Sequence, residues 1–116
     1  MSSDIISGYG YMAMEQTLYD SEGKLLTRGH DEYAIPSMAD CPPEFDVTLM
    51  RGNKETEQVL YTSKGIGEPP FFSGQTVYFA IKDALVAAKK AAGGQGTVNL
   101  ATPAVPINVL NCLQSF

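Results

Sequence analysis

The longest regular stretch of the chain, residues 73–93, reads SGQTVYFAIKDALVAAKKAAG. Its apolar residues recur at i, i+3, i+4, i+7, i+8 and i+11, the spacing of one face of an α-helix. They are Val77, Ala80, Ile81, Ala84, Leu85 and Ala88. Ser73 is a suitable N-cap, Lys89 and Lys90 suit the C-terminal end of the helix dipole, and Gly93 suits the stop. The pattern predicts a long amphipathic helix near residues 74–92.

Shorter helices are predicted on either side of this stretch. Apolar residues at helical spacing between positions 5 and 16 predict an N-terminal helix, although Gly8 and Gly10 each weaken an isolated helix by about 1 kcal/mol. Two glycines kept at that cost indicate close approach to another backbone or to a ligand, and of these we expect tight helix packing. Pro103 or Pro106 lies near the start of a predicted short C-terminal helix.

Short strands are predicted between the helices, which makes the expected fold class α+β. The sequence Asp20-Ser21-Glu22-Gly23 predicts a hairpin turn, and the alternation of apolar and polar residues over 45–50 predicts a strand. Residues 33–36 and 59–62 are further extended candidates. Because a few short mixed or antiparallel strands make a poor core, we expect residues 1–116 to form a single incomplete domain whose apolar faces need a partner.

Composition excludes several classes of function. The chain has 116 residues and a formal net charge of −5, and an acidic surface repels nucleic acid. The sequence contains neither a signal-peptide pattern nor an apolar run long enough for a membrane helix, so we expect a cytoplasmic protein that binds no membrane. Cys41 and Cys112 lack metal-ligand spacing and are expected to be reduced thiols, while His30 is alone in a polar loop. We therefore expect no metal ligands in this chain.

One segment carries a pattern that suits chemistry, the sequence KGIGEPP at residues 64–70. Gly65 and Gly67 allow the backbone to approach a ligand closely, and two prolines fix the direction of the chain after Glu68. A carboxylate held in such a stiff loop beside apolar residues is suited to act as a general base. The alternative is a surface turn in which the acid caps a backbone amide.

The same segment resembles a signature of the molybdenum hydroxylases, the family of xanthine dehydrogenase and aldehyde oxidase. The resemblance begins with YTSKGIGEPP at residues 61–70 and continues into VYFAIKDA at residues 77–84. It extends upstream through LTRG at residues 26–29 and PEF at residues 43–45, and YGYM at residues 9–12 resembles the family's glycine-rich helix. The tail from residue 101 resembles the family's closing helix, so the similarity covers nearly the whole chain in order.

The resemblance implies that the chain is the C-terminal end of the molybdopterin-binding part of a much larger polypeptide. It implies that Glu68 is the general base, accepting a proton from a molybdenum-bound hydroxyl as oxygen is transferred to an aldehyde or an N-heterocycle. Gly67 would allow close approach to the cofactor. Most of the molybdopterin contacts, the iron-sulfur clusters and the FAD would belong to the parent protein, an expected homodimer. The implied partners are the rest of that polypeptide or a homologous subunit.

Two residues depart from the family pattern: Ser7 stands where glutamine is common, and His30 stands where proline is usual. We expect no activity from these residues alone, because a single base without cofactor and electron acceptors has nothing to activate. The alternative function is a non-catalytic interaction module, or a decayed truncated copy, that docks onto a full-length relative.

Overall fold

The described residues form four α-helices. The computed structural model describes residues 2–48, 60–62, 65 and 68–116. The helices are α1 (Ser2–Ala13), α2 (Glu68–Phe72), α3 (Gln75–Ala91) and α4 (Pro106–Leu113). Between α1 and α2, the described residues include the 3₁₀ turns Met38–Asp40 and Leu60–Thr62. The N-terminal, long central and short C-terminal helices all agree with the prediction.

The predicted α+β class is wrong, because the described residues contain no sheet. The hairpin turn does form: the Asp20 N–H donates to the Lys24 carbonyl at 3.0 Å, and Tyr19 and Leu25 make one antiparallel bridge. One more backbone hydrogen bond follows, from the Leu26 N–H to the Leu18 carbonyl at 2.8 Å, but the Leu18 N–H donates to the Thr27 side-chain oxygen at 3.2 Å and not to the Leu26 carbonyl. The Leu18 N–H is therefore not available to donate to a backbone carbonyl, as it would in a longer strand pair.

In the part of the chain that the structure describes, the strands predicted at residues 45–50 and 59–62 do not form. Residues 45–48 form no regular element, and Phe45 and Val47 are exposed. Leu49, Met50 and Val59 lie outside the described residues, and residues 60–62 form a 3₁₀ turn. Alternating apolar residues favour a strand only when a neighbouring strand can accept the backbone hydrogen bonds, and these segments have none among the described residues.

Helix α3 ends as the sequence predicts and begins one step later. Its N-cap is Gly74 without a side-chain hydrogen bond, so the prediction of a Ser73 N-cap is wrong. The Ser73 carbonyl instead accepts from the Thr76 N–H at 3.1 Å, in the turn that joins α2 to α3. At the other end, Gly93 has φ +79°, the left-handed conformation that stops a helix.

The core lies between α3, the segment before α4 and α4 itself. Its buried members are Leu85, Val98, Leu100, Ala104 and Cys112. The Tyr78 hydroxyl donates to the Leu100 carbonyl at 2.7 Å, which holds this segment against α3. Pro106 is the first residue of α4, where its missing N–H costs no helical hydrogen bond.

Candidate functional site

Glu68 is the first residue of the five-residue helix α2, and Pro69 and Pro70 follow it. The loop predicted for residues 64–70 is therefore wrong for residues 68–70, which are helical. The reason is that the first four N–H groups of a helix have no intrahelical acceptor, so two prolines in the first turn remove nothing. A negative charge at this end is also favoured by the helix dipole. The helical turn gives Glu68 a defined backbone position.

The Glu68 side chain is exposed on this chain. The apolar residues beside it in α2 do not enclose it: Phe71 is half-buried and Phe72 is exposed. Gly67, the residue predicted to approach the cofactor, lies outside the described residues. Gly65 has open space where a Cβ would stand, so nothing in the described part of the chain crowds it.

Helix α1 holds α2 in place through backbone contact. Gly8 and Gly74 are both buried, and they face each other. A Cβ built on Gly8 would overlap the Phe71 carbonyl oxygen and lie 3.0 Å from the Phe71 carbonyl carbon. A Cβ on Gly74 would overlap the Gly8 backbone. The prediction of tight helix packing is therefore confirmed for Gly8, whereas Gly10 faces the side chains of Pro36 and Glu15.

Further contacts fix α1 on its other sides. The rings of Tyr11 and Phe71 lie 5.7 Å apart between centroids, tilted by 52°. The Ala104 N–H donates to the Met12 carbonyl at 2.7 Å, which joins the end of α1 to the segment before α4. Helix α1 thus connects the α3–α4 core to the helix that begins with Glu68.

The other polar residues that the structure describes do not assemble into a second reactive centre. His30 is exposed at the edge of an open cleft of about 510 Å³ that Arg28 and Tyr33 also line. Both thiols are free, with Cys41 half-buried and Cys112 buried. Among the residues that the structure describes, no group of three or more histidine, cysteine or acidic side chains could hold a metal ion.

The described residues do not by themselves form a cradle for a pterin cofactor. Within this part of the chain, every buried side-chain nitrogen and oxygen has a hydrogen-bond partner. None of these buried side-chain polar atoms therefore has an unused hydrogen bond for a phosphate or a pterin ring. At the candidate site, the described residues provide one exposed carboxylate, that of Glu68, at the first position of α2.

Comparison with known proteins identifies the source of this arrangement. A family model described as a molybdopterin cofactor-binding domain matches residues 4–42, which include most of α1 and the hairpin turn. The xanthine dehydrogenase/oxidase of Gallus gallus is 39% identical over 112 residues, and aldehyde oxidase 1 of Macaca fascicularis is 42% identical over 112 residues. Xanthine dehydrogenase of Drosophila pseudoobscura pseudoobscura is 38% identical over the same length.

Over nearly its whole length, the chain is similar to xanthine dehydrogenases and to an aldehyde oxidase. Each of these alignments covers 96% of the chain and 8% of the relative, so the chain spans a small part of the molybdenum hydroxylases it matches. In the described part of the chain, no helix is both long and apolar enough to cross a membrane.

Sequence reasoning missed one element of the site, the contact of Gly8 with Phe71 and Gly74. The sequence did show a glycine within one predicted helix, Gly8, and a glycine at the start of another, Gly74. Their pairing could not be read from spacing, since 66 positions separate them and only the folded chain brings them together.

Proposed function

We propose that this chain is the C-terminal part of the molybdopterin-binding region of a molybdenum hydroxylase that oxidises aldehydes or N-heterocycles. In the complete protein, iron-sulfur clusters and FAD would carry electrons away. The observation that carries the proposal is identity of 38–42% over 112 residues to xanthine dehydrogenases and an aldehyde oxidase.

Within that enzyme, Glu68 acts as the general base. The molybdenum cofactor, when bound, supplies the redox and oxygen-transfer chemistry, and the contribution of this chain is the proton acceptor. An exposed carboxylate on a short helix suits this role, because the rest of the enzyme can enclose it without moving it. Gly67 allows the backbone before Glu68 to lie close to the cofactor.

The test replaces the matching segment of a complete molybdenum hydroxylase with residues 1–116. Molybdenum content establishes loading, and kcat is measured with a purine and with an aldehyde. Glu68→Gln removes the base while keeping the shape of the side chain, and we expect kcat to fall by about 10²–10⁴-fold. Glu22→Gln is the matched control, since Glu22 is exposed in the hairpin turn. Equal kcat in the loaded Glu68→Gln and control proteins would refute the role of Glu68.

The 116-residue chain on its own is proposed to be inactive, because one base without a redox cofactor has no oxidant to deliver electrons to. Oxidation of an aldehyde or a purine by the purified chain would contradict this.

A second candidate function is favoured by the apolar surface. The chain would act as a non-catalytic module, or a decayed copy, that docks onto a full-length relative through exposed apolar side chains such as Phe72, Phe79 and Leu110. A loaded chimera that is active with a purine or aldehyde would favour the catalytic function over this one.

A further inference from the structure

The backbone contact between α1 and the start of α3 lies close to Glu68. Phe71 is three residues after Glu68 in α2, and the Phe71 carbonyl accepts from the Gly74 N–H at 3.0 Å. The same carbonyl oxygen occupies the space in which a Gly8 Cβ would stand. The position of α2 is therefore set by a contact that tolerates no additional atom on Gly8.

We propose that Gly8 and Gly74 are positioning residues for Glu68, an inference that rests on the proposed role of Glu68 as general base. Both glycines are buried against protein backbone, so their proposed effect reaches the reaction through Glu68. They act by allowing α1 to pack directly on the backbone of the α2–α3 junction, which places the first residue of α2. Since α2 has only five residues, a shift of its Phe71 carbonyl moves Glu68 with it.

The expected size of the effect follows from the geometry. Relief of the Gly8→Ala overlap requires α1 and α2 to separate, because the atoms in the way are backbone atoms that cannot rotate aside. A general base displaced by about 1 Å loses on the order of 10²-fold in rate. The loss is expected in kcat, with KM changed by less than about threefold, because the displaced group acts on the chemical step.

The central experiment is a double-substitution cycle in a complete molybdenum hydroxylase that carries residues 1–116. Single-turnover rates are measured for Gly8→Ala, Glu68→Gln and the combination, each normalised to molybdenum content. Gly8→Ala is expected to slow the reaction about 10²-fold in the parent background and to have no further effect once Glu68 is Gln. An equal loss in both backgrounds would show that Gly8 supports the fold in general, and would overturn the proposal.

The matched control is Gly29→Ala. A Cβ on Gly29 would meet only the Glu32 carboxylate, at an ordinary contact distance of 3.5 Å. The control should leave the rate unchanged. If Glu68→Gln has no effect, the proposed function fails. If Glu68→Gln slows the reaction but Gly8→Ala leaves the rate unchanged, as Gly29→Ala does, only the positioning role of Gly8 is refuted.

A second readout does not depend on activity. In the 116-residue chain, Gly8→Ala is expected to speed amide hydrogen exchange over residues 71–77 relative to Gly29→Ala, and equal exchange would count against the contact. If Gly8→Ala blocks cofactor loading, the same rates are measured for Tyr11→Leu. This variant removes the ring that contacts Phe71 and adds no steric clash. A rate loss from Tyr11→Leu that vanishes in the Glu68→Gln background supports the proposal, and an unchanged rate refutes it.

Discussion

At the residue scale, single hydrogen bonds join segments that lie far apart in sequence. The Tyr33 hydroxyl donates to the Glu15 carboxylate at 2.7 Å, linking the extended segment after the hairpin turn to the chain just beyond α1. This bond raises the pKa of Tyr33 above its ordinary value of 10.0, because the Glu15 carboxylate accepts from the protonated hydroxyl and repels the phenolate. Neither residue was a predicted site, since spacing of 18 positions carries no pairing signal.

The pH dependence of stability should report this bond. A group whose folded pKa is raised contributes stability that is fully present below its unfolded pKa, here about 10, and is lost as pH rises through the folded pKa. Tyr33→Phe is therefore expected to destabilise the chain at neutral pH and to flatten the alkaline fall in its melting temperature. Thermal unfolding between pH 7 and 11 measures this. Tyr19→Phe, at an exposed tyrosine, is the control and should leave the alkaline slope unchanged.

At the element scale, α3 shows which parts of a helix are local properties. Its length and its stop follow from apolar spacing and Gly93, and both agree with the structure. Its buried face is only partly as predicted: Leu85 is buried, whereas Ala80, Ala84 and Ala88 are exposed. The periodicity of the sequence predicts an apolar stripe along the helix, but the packing of other segments determines which residues of the stripe are buried.

The role of Gly93 in ending α3 can be tested by a substitution that adds one methyl group. Gly93→Ala places a side chain at φ +79°, which costs roughly 1–2 kcal/mol of unfolding free energy. There is open space around its Cβ, so strain in the backbone is the only cost. Denaturant unfolding measures the difference. Gly29→Ala adds the same methyl group at a glycine without positive φ, and a loss equal to that of Gly93→Ala would contradict the explanation.

The α3–α4 core should respond to truncation of Leu85. This side chain is 4% exposed and packs among Val98, Leu100 and Cys112. Leu85→Ala is expected to lower the free energy of unfolding by about 2–5 kcal/mol. Leu110→Ala makes the identical truncation on α4 at a leucine that is 48% exposed, and should change stability far less. Similar losses in the two variants would show that the core lies elsewhere.

At the scale of the whole molecule, the described chain covers its apolar surface poorly. None of its described side chains is fully buried, and sixteen large apolar side chains are exposed. Three of them, Ile107, Leu110 and Leu113, follow one another at intervals of three along α4. A patch of this kind on a folded protein marks a surface that packs against other protein. The surface agrees with a chain that spans 8% of its relatives.

Self-association is therefore expected of the isolated chain. Sedimentation velocity should give an average mass that rises with concentration. Leu110→Gln combined with Leu113→Gln should reduce this rise, because it removes apolar area from the exposed stripe of α4. Asn111→Ser with Gln114→Ser changes exposed polar residues of the same region and should leave association unaltered. A monomer at all concentrations would argue against exposed apolar packing surfaces.

The sequence by itself determined helices α1, α3 and α4, the hairpin turn, the stop of α3 and the resemblance to molybdenum hydroxylases. All of these depend on residues that are neighbours along the chain or on the order of motifs within it. Only the tertiary structure decided that the short segments pair through one bridge instead of a sheet, that Glu68 begins a helix, and that Gly8 meets Phe71 and Gly74. The physical reason is that strand pairing and backbone contact need two distant segments to meet, and spacing along one chain carries no record of which segments do.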